Sequence, residues 1–353
     1  MNHDPDGPAD AASAQGARAP AHALPFRKDI EGLRAVAILL VVCAHAGVPW
    51  LEGGFIGVDV FFVLSGYLIT GLLLREFDAR GRIDLASFYA RRIQRLLPGL
   101  LLTIICVCAA ASVLLAPYEQ ISQASAAGST AAWVSNFYYA FLKLDYFGYA
   151  AGTSLFLHTW SLGVEEQFYL LWPGLMLLML WGWHRSDSAK KFHRLKVGMA
   201  TILIGSLLTG VGLTYLRPEF GFYMVSSRAW EFALGASVFL ALGSAAPTRT
   251  TTTCLMGWAG LGTILAVAML LDGYHPYPGT WALLPALGTA TVLAAHQPTR
   301  GLPTVSSLLS SSPLQTIGRT SYAWYLWHWP VLLLGETLLG QSLSWTGQPF
   351  VDI

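Results

Sequence analysis

Long apolar runs, interrupted at wide intervals by short polar clusters, organise this chain. A membrane-crossing helix needs about 20 mainly apolar residues. That ruler marks nine candidate spans, beginning near Arg34, Ile56, Leu97, Leu162, Val197, Arg228, Cys254, Trp281 and Ser321. Several contain Gly or Pro, which membrane helices tolerate better than soluble ones, and Trp and Tyr gather near their ends as interface anchors do. The pattern predicts an all-α integral membrane protein, a polytopic bundle of about nine transmembrane helices.

Short loops rich in Lys and Arg face the cytoplasm. Residues 75–95 carry Arg80, Arg82, Arg91 and Arg92, and residues 184–196 carry Arg185, Lys190, Lys191 and Arg194, so both stretches are expected inside. An even number of spans must separate them, which predicts that residues 118–141 do not cross. Their Ser, Gly, Asn and Tyr content, with the nearby Lys143, suits an outer-face loop holding a re-entrant or interfacial helix. Residues 1–25 are rich in Ala, Pro, Gly and Asp and lack the pattern of a signal peptide, so they read as a disordered cytoplasmic tail. Residues 26–353 form one transmembrane domain without an internal repeat. An inside amino terminus and nine crossings leave the carboxyl terminus outside, where the sequence reads as cut short.

Composition narrows the partners. The 353 residues are 54% hydrophobic and 12% charged, against roughly 25% charged in an average soluble domain, and mean hydropathy is +0.51. A lipid bilayer is therefore the expected surrounding. The net charge of +1 offers no basic surface for nucleic acid. Cys43, Cys106, Cys108 and Cys254 all lie in apolar runs, so they read as small hydrophobes, and no Cys or His spacing points to zinc or another metal.

A charged side chain at mid-span costs about 2.5 to 3.5 kcal/mol on insertion scales, so ionisable groups inside spans are functional candidates. Arg34 and His45 lie eleven residues apart in the first span. At about 100° and 1.5 Å per residue they share one helix face, roughly 16 Å apart. Arg34 suits an anion such as a CoA phosphate, and His45 suits proton transfer. Equally, Arg34 can anchor the helix and His45 can bond a nearby carbonyl. Asp59 opens the second span, followed by Ser65, Gly66 and Thr70; it can orient a histidine, bind a hydroxyl, or cap its helix. Arg91 and Arg95, four apart beside the membrane, suit the pyrophosphate and 3′-phosphate of CoA, or are plain positive-inside charge.

The densest cluster runs from His158 to Tyr169. Helical spacing puts His158, Ser161, Glu165 and Tyr169 on one face and Glu166 about 100° away. Adjacent glutamates opening a span are hard to explain as lipid-facing. Finally, His328 sits among aromatics beside Pro330 and reads as a core histidine with one hydrogen bond.

In this order, Arg34 with His45, the run 57–70, the Arg91 and Arg92 pair before Pro98, the run 158–169 and the run 325–330 resemble the acyltransferase 3 family. Its bacterial members include O-antigen (lipopolysaccharide), exopolysaccharide and macrolide O-acylases. The resemblance implies a ten-span domain in the cell inner membrane that moves an acyl group, usually acetyl, from cytoplasmic acetyl-CoA to a hydroxyl of a saccharide or lipid-linked glycan. Arg34 and His45 match the family's essential arginine and histidine, Arg91 and Arg92 its paired arginines, and Glu165 with Glu166 a family signature. The sequence reads as stopping before the family's last span and following basic segment; many relatives also continue into an extracytoplasmic esterase-like domain, which this chain either never had or has lost.

On this reading His45 is the general base or a transient acyl carrier, Arg34, Arg91, Arg92 and Arg95 hold the CoA phosphates, and Glu165, with His158 or Asp59, orients the imidazole or binds the acceptor. Ser65, Ser161, Glu166, Tyr169 and His328 are supporting candidates. The rival class is a saccharide or lipid-linked-sugar transporter, whose paired halves and broken helices are not evident in the sequence.

Overall fold

The structure is a computed structural model describing residues 27–181, 188–242, 250–295 and 304–339. Among these residues the fold is all-helical: α1 Lys28–His45, α2 Gly57–Arg80, α3 Leu85–Leu114, α4 Pro117–Ala131, α5 Ser135–Phe141, α6 Trp160–Leu180, α7 Ser188–Leu216, α8 Pro218–Tyr223, α9 Val225–Leu242, α10 Thr251–Leu270, α11 Leu283–Ala294, α12 Val305–Leu309, α13 Ser312–Arg319 and α14 Ser321–Leu339. Each predicted span start falls inside a helix or at most two residues before one. The predicted tail and the end of the chain lie outside the described residues, as do residues 184–187 of the second basic stretch, whose Lys190, Lys191 and Arg194 lie in the first turns of α7.

Among the described residues, four helical stretches are long and apolar enough to cross a membrane by length and composition: Glu52–Arg80, Leu85–Leu114, Lys190–Leu216 and Thr251–Leu270. Helices α1, α6, α9 and α14 have 18, 21, 18 and 19 residues and bury His45, Ser161, Arg228 with Glu231, and His328 respectively. The helix at the predicted eighth span, α11, has only 12 residues. At 1.5 Å per residue it rises about 18 Å, short of a hydrocarbon core of about 30 Å. Helices α4 and α5 have 15 and 7 residues, each below span length, and Trp133 between them sits at φ 55°.

Burial orders the long helices. The apolar window of α2 is 83% buried, against 28% for α3 and 22% for α7. Helix α2 is therefore the central post, packed against α1, α6, α9 and α11, while α3 turns Ile105 and Val113 outward, a face suited to lipid. Small residues let α2 and α9 close on each other. A Cβ on Gly66 would stand 2.0 Å from the Phe232 carbonyl oxygen, and one on Gly235 would stand 1.9 Å from that of Val63. Only glycine permits this approach on both sides, the way membrane helices gain contact without a hydrophobic driving force. Phe232 of α9 then stacks between Phe62 of α2 and Phe168 of α6, with centroids 4.7 and 4.1 Å away. Helix α3 starts on the Asp84 carboxylate, which accepts the Ser87 backbone N–H at 3.1 Å. All four cysteines are free.

Candidate active site

Helix α1 presents Arg34 to a cavity closed by α2, α3, α6 and α14. Arg34 is fixed from α14: its Nε and Nη2 donate to Ser321 Oγ at 3.2 and 2.9 Å. Arg92 and Arg95 of α3 line the same cavity, three residues apart and so neighbours on the helix surface. The Arg92 guanidinium lies 4.4 Å from the centroid of the Tyr169 ring. Among the described residues, no carboxylate lies within ion-pair distance of Arg34, Arg92 or Arg95. Arg91 is exposed and does not line the cavity. The expected pairing of Arg91 with Arg95 is thus replaced by Arg92 with Arg95, because the helix rotation that points Arg95 inward carries Arg92 with it.

The opposite wall is acidic. Glu165 and Glu166 both line the cavity, so the offset of about 100° between adjacent helical residues does not exclude Glu166. Oε1 of Glu165 accepts hydrogen bonds from the hydroxyls of Ser65 and Tyr169, which are themselves 3.0 Å apart. Ser161 and Tyr325 close the far end: their hydroxyls are hydrogen-bonded, and Tyr325 Oη donates to the His158 carbonyl at 2.8 Å.

Behind Tyr325 the three histidines meet. Ring centroids of His45 and His328 are 5.1 Å apart, and those of His158 and His328 are 5.4 Å apart. His328 Nδ1 faces the carbonyls of Tyr325 at 2.8 Å and Trp324 at 3.2 Å. A carbonyl only accepts, so Nδ1 carries the proton and Nε2 of a neutral ring is an acceptor. His45 Nδ1, 2.9 Å from that Nε2, is then the donor. Consequently His45 Nε2 accepts from Tyr146 Oη at 2.8 Å. Tyr146 lies in the loop after α5, where burial pushes its hydroxyl well above the ordinary tyrosine range and keeps it protonated. One tautomer of the catalytic candidate follows from a backbone carbonyl two residues removed from it in the hydrogen-bond chain. His45 and His328 stack at 17°, while His158 meets His328 edge-on at 77°; among the described residues no group of His, Cys, Asp or Glu is placed to hold a metal ion.

Asp59 is placed away from the histidines. Its carboxylate accepts from Arg228 Nη1 at 3.0 Å and from Tyr277 Oη at 2.6 Å. Arg228 also bonds Glu231 at 3.1 Å, and all three charged groups are fully buried. Among the described residues no histidine hydrogen-bonds Asp59; from the first turn of α2 it ties that helix to α9 through a buried ion pair.

A family profile described as an acyltransferase domain matches residues 27–351. The chain belongs to this acyltransferase family. It is 32% identical over 325 residues to the peptidoglycan O-acetyltransferase OatA of Listeria monocytogenes, covering 88% of this chain and 50% of that protein. It is 31% identical over 328 residues to the putative peptidoglycan O-acetyltransferase YrhL of Bacillus subtilis, covering 90% and 50%. It is 30% identical over 316 residues to the O-acetyltransferase OatA of Staphylococcus aureus, covering 86% and 50%. The chain spans about half the length of the curated relatives it matches. No solved structure matches it significantly.

Tyr146, Arg228, Glu231 and Tyr277 are not among the candidates that stand out in the sequence. Arg228 and Glu231, three apart at the start of a span, carried the same signal as Arg34: charge where lipid makes it costly. The two tyrosines carried none, since an aromatic in a loop of a membrane protein is an ordinary interface residue.

Proposed function

We propose that the chain is a membrane-bound O-acetyltransferase that moves acetyl from acetyl-CoA to a hydroxyl of a cell-surface saccharide. The observation that carries the donor half is the set of three guanidiniums around one cavity without a carboxylate partner among the described residues. Such a cluster suits the phosphates of CoA. The amino terminus and this cavity then face the cytoplasm, consistent with the basic stretch 75–95 that leads into Arg92 and Arg95. The names of the relatives support a cell-wall glycan, peptidoglycan in particular, as the acceptor.

In the reaction, the pantetheine arm runs from the arginines along α1 toward Tyr325, whose bonds to Ser161 and His158 open to admit the thioester. The acceptor hydroxyl passes its proton to Tyr146 as Tyr146 passes its own to His45 Nε2. The freed oxygen attacks the thioester carbonyl carbon, the C–S bond breaks, and the imidazolium returns a proton to leave CoA as the free thiol. Glu165, held by Ser65 and Tyr169, sits on the donor side and balances the arginine charge.

The test is acetyl-CoA-dependent release of CoA by the full chain in detergent or nanodiscs with a muropeptide-free glycan acceptor. Release that is lost in His45→Ala supports the reading; wild-type protein that neither binds acetyl-CoA nor releases CoA removes it.

A further inference from the structure

A second cavity lies toward the other end of α1 from the arginines, lined by the loop carrying Asp145 and Tyr146, by Glu219 and Tyr223 of α8, and by Tyr277. We infer that this cavity binds an uncharged polyhydroxyl sugar unit of the acceptor glycan and presents one hydroxyl to Tyr146. The inference rests on the O-acetyltransferase reading for the word acceptor, while the binding it asserts stands on its own observations.

Three features point to such a ligand. First, Tyr146 both lines the cavity and holds the His45 imidazole at 2.8 Å, so the cavity adjoins the proton relay. Second, Tyr223 lines the cavity, is 0% exposed, and its hydroxyl has no hydrogen-bond partner among the described residues. A buried hydroxyl without a partner costs free energy that a ligand hydroxyl removes. Third, the walls combine aromatic rings with acceptors. Phe222 stacks on Tyr146 at 4.5 Å, and Asp145 and Glu219 offer carboxylate oxygens. Rings give the apolar faces, and carboxylates the hydroxyl acceptors, that a sugar ring requires.

Charge selects among saccharides. The described lining carries two carboxylates and no lysine or arginine; its histidine, His275, is already held by Asp272 at 2.7 Å. An anionic glycan would meet like charge here, whereas the arginine cavity favours an anion. The two cavities therefore sort the substrates by sign: the anionic donor to Arg34, Arg92 and Arg95, the neutral sugar unit of the acceptor to Asp145, Glu219 and Tyr223.

The experiment measures equilibrium binding to the full chain in detergent of two probes, a β-1,4-linked N-acetylglucosamine tetramer and a sulfated tetrasaccharide, with acetyl-CoA binding measured separately on the same samples. Expected is saturable binding of the neutral tetramer, with the sulfated probe at least tenfold weaker. Tyr223→Phe and Glu219→Gln, which keep side-chain volume, should each weaken the neutral tetramer about fivefold or more while acetyl-CoA affinity stays within about twofold. Wild-type protein that does not bind the tetramer, substitutions that leave its affinity unmoved, or equal binding of the sulfated probe each overturn the inference. Tetramer binding with no acetyl-CoA binding would overturn the donor reading and support this site.

Discussion

His45 Nδ1 stands 2.9 Å from His328 Nε2, and the proton between them belongs to His45 because the other nitrogen of His328 faces two backbone carbonyls. The bond joins residues 283 apart in the chain. It leaves His45 Nε2 as the basic nitrogen. His45→Ala is expected to lower transfer by about 10²- to 10⁴-fold, the usual worth of a positioned general base, with acetyl-CoA affinity nearly unchanged. His328→Ala should act through kcat and not through the donor KM, because it removes only the orienting acceptor. Steady-state kinetics on both variants check this, and a His328→Ala enzyme within twofold of wild type would remove the relay.

Arginine substitutions should separate along the cavity wall. Arg34→Ala and Arg92→Ala each delete charge-assisted hydrogen-bonding capacity worth roughly 1.5 to 3 kcal/mol, so about 10- to 150-fold in donor affinity. Arg91→Ala, exposed and outside the cavity, should move it less than threefold. Acetyl-CoA titrations on the three variants decide; a larger effect at Arg91 than at Arg92 would refute the placement.

Loss of the Asp59–Arg228 pair is a stability matter. Arg228→Met leaves Asp59 and Glu231 buried without their shared cation. Breaking a buried pair from one side costs about 3 to 5 kcal/mol. Thermal unfolding in detergent should show a large fall for Arg228→Met and little change for His45→Ala, so inactivity in the two variants has different origins.

Glycine positions provide a packing contrast. Gly66→Ala drives a Cβ into the Phe232 carbonyl oxygen, whereas a Cβ at Gly128 in α4 meets nothing within 4 Å. The first should destabilise by about 1 to 3 kcal/mol through overpacking, and the second should be neutral or stabilise by about 0.5 to 1 kcal/mol, as alanine does in a helix. Unfolding midpoints of the two variants measure the difference.

Helix positions were legible from sequence because a helix in lipid satisfies its backbone locally and needs only a long enough apolar run. Residues 118–141 were legible for the complementary reason, their polar content leaving α4 and α5 below span length. The candidate chemistry was half legible. Arg34, Arg92, Arg95, Ser65, Ser161, Glu165, Glu166 and Tyr169 share one cavity; Arg34, Glu165 and Glu166 stand out in the sequence as charge where lipid penalises it, Arg92 and Arg95 as a basic stretch beside the membrane. Their individual partners do not.

By itself, then, the sequence determined an all-helical membrane bundle, the order of its helices and the ionisable groups that must be shielded from lipid, since these depend on local runs and on the cost of charge. Tertiary structure alone decided that Asp59 pairs with Arg228, 169 residues away, that His45 meets His328 and Tyr146, and that α2 rather than the more apolar α3 is the central post. Hydropathy measures only whether a side chain avoids water. It cannot distinguish burial in protein from burial in lipid, nor say which distant polar group comes within about 3 Å, the range in which a hydrogen bond forms.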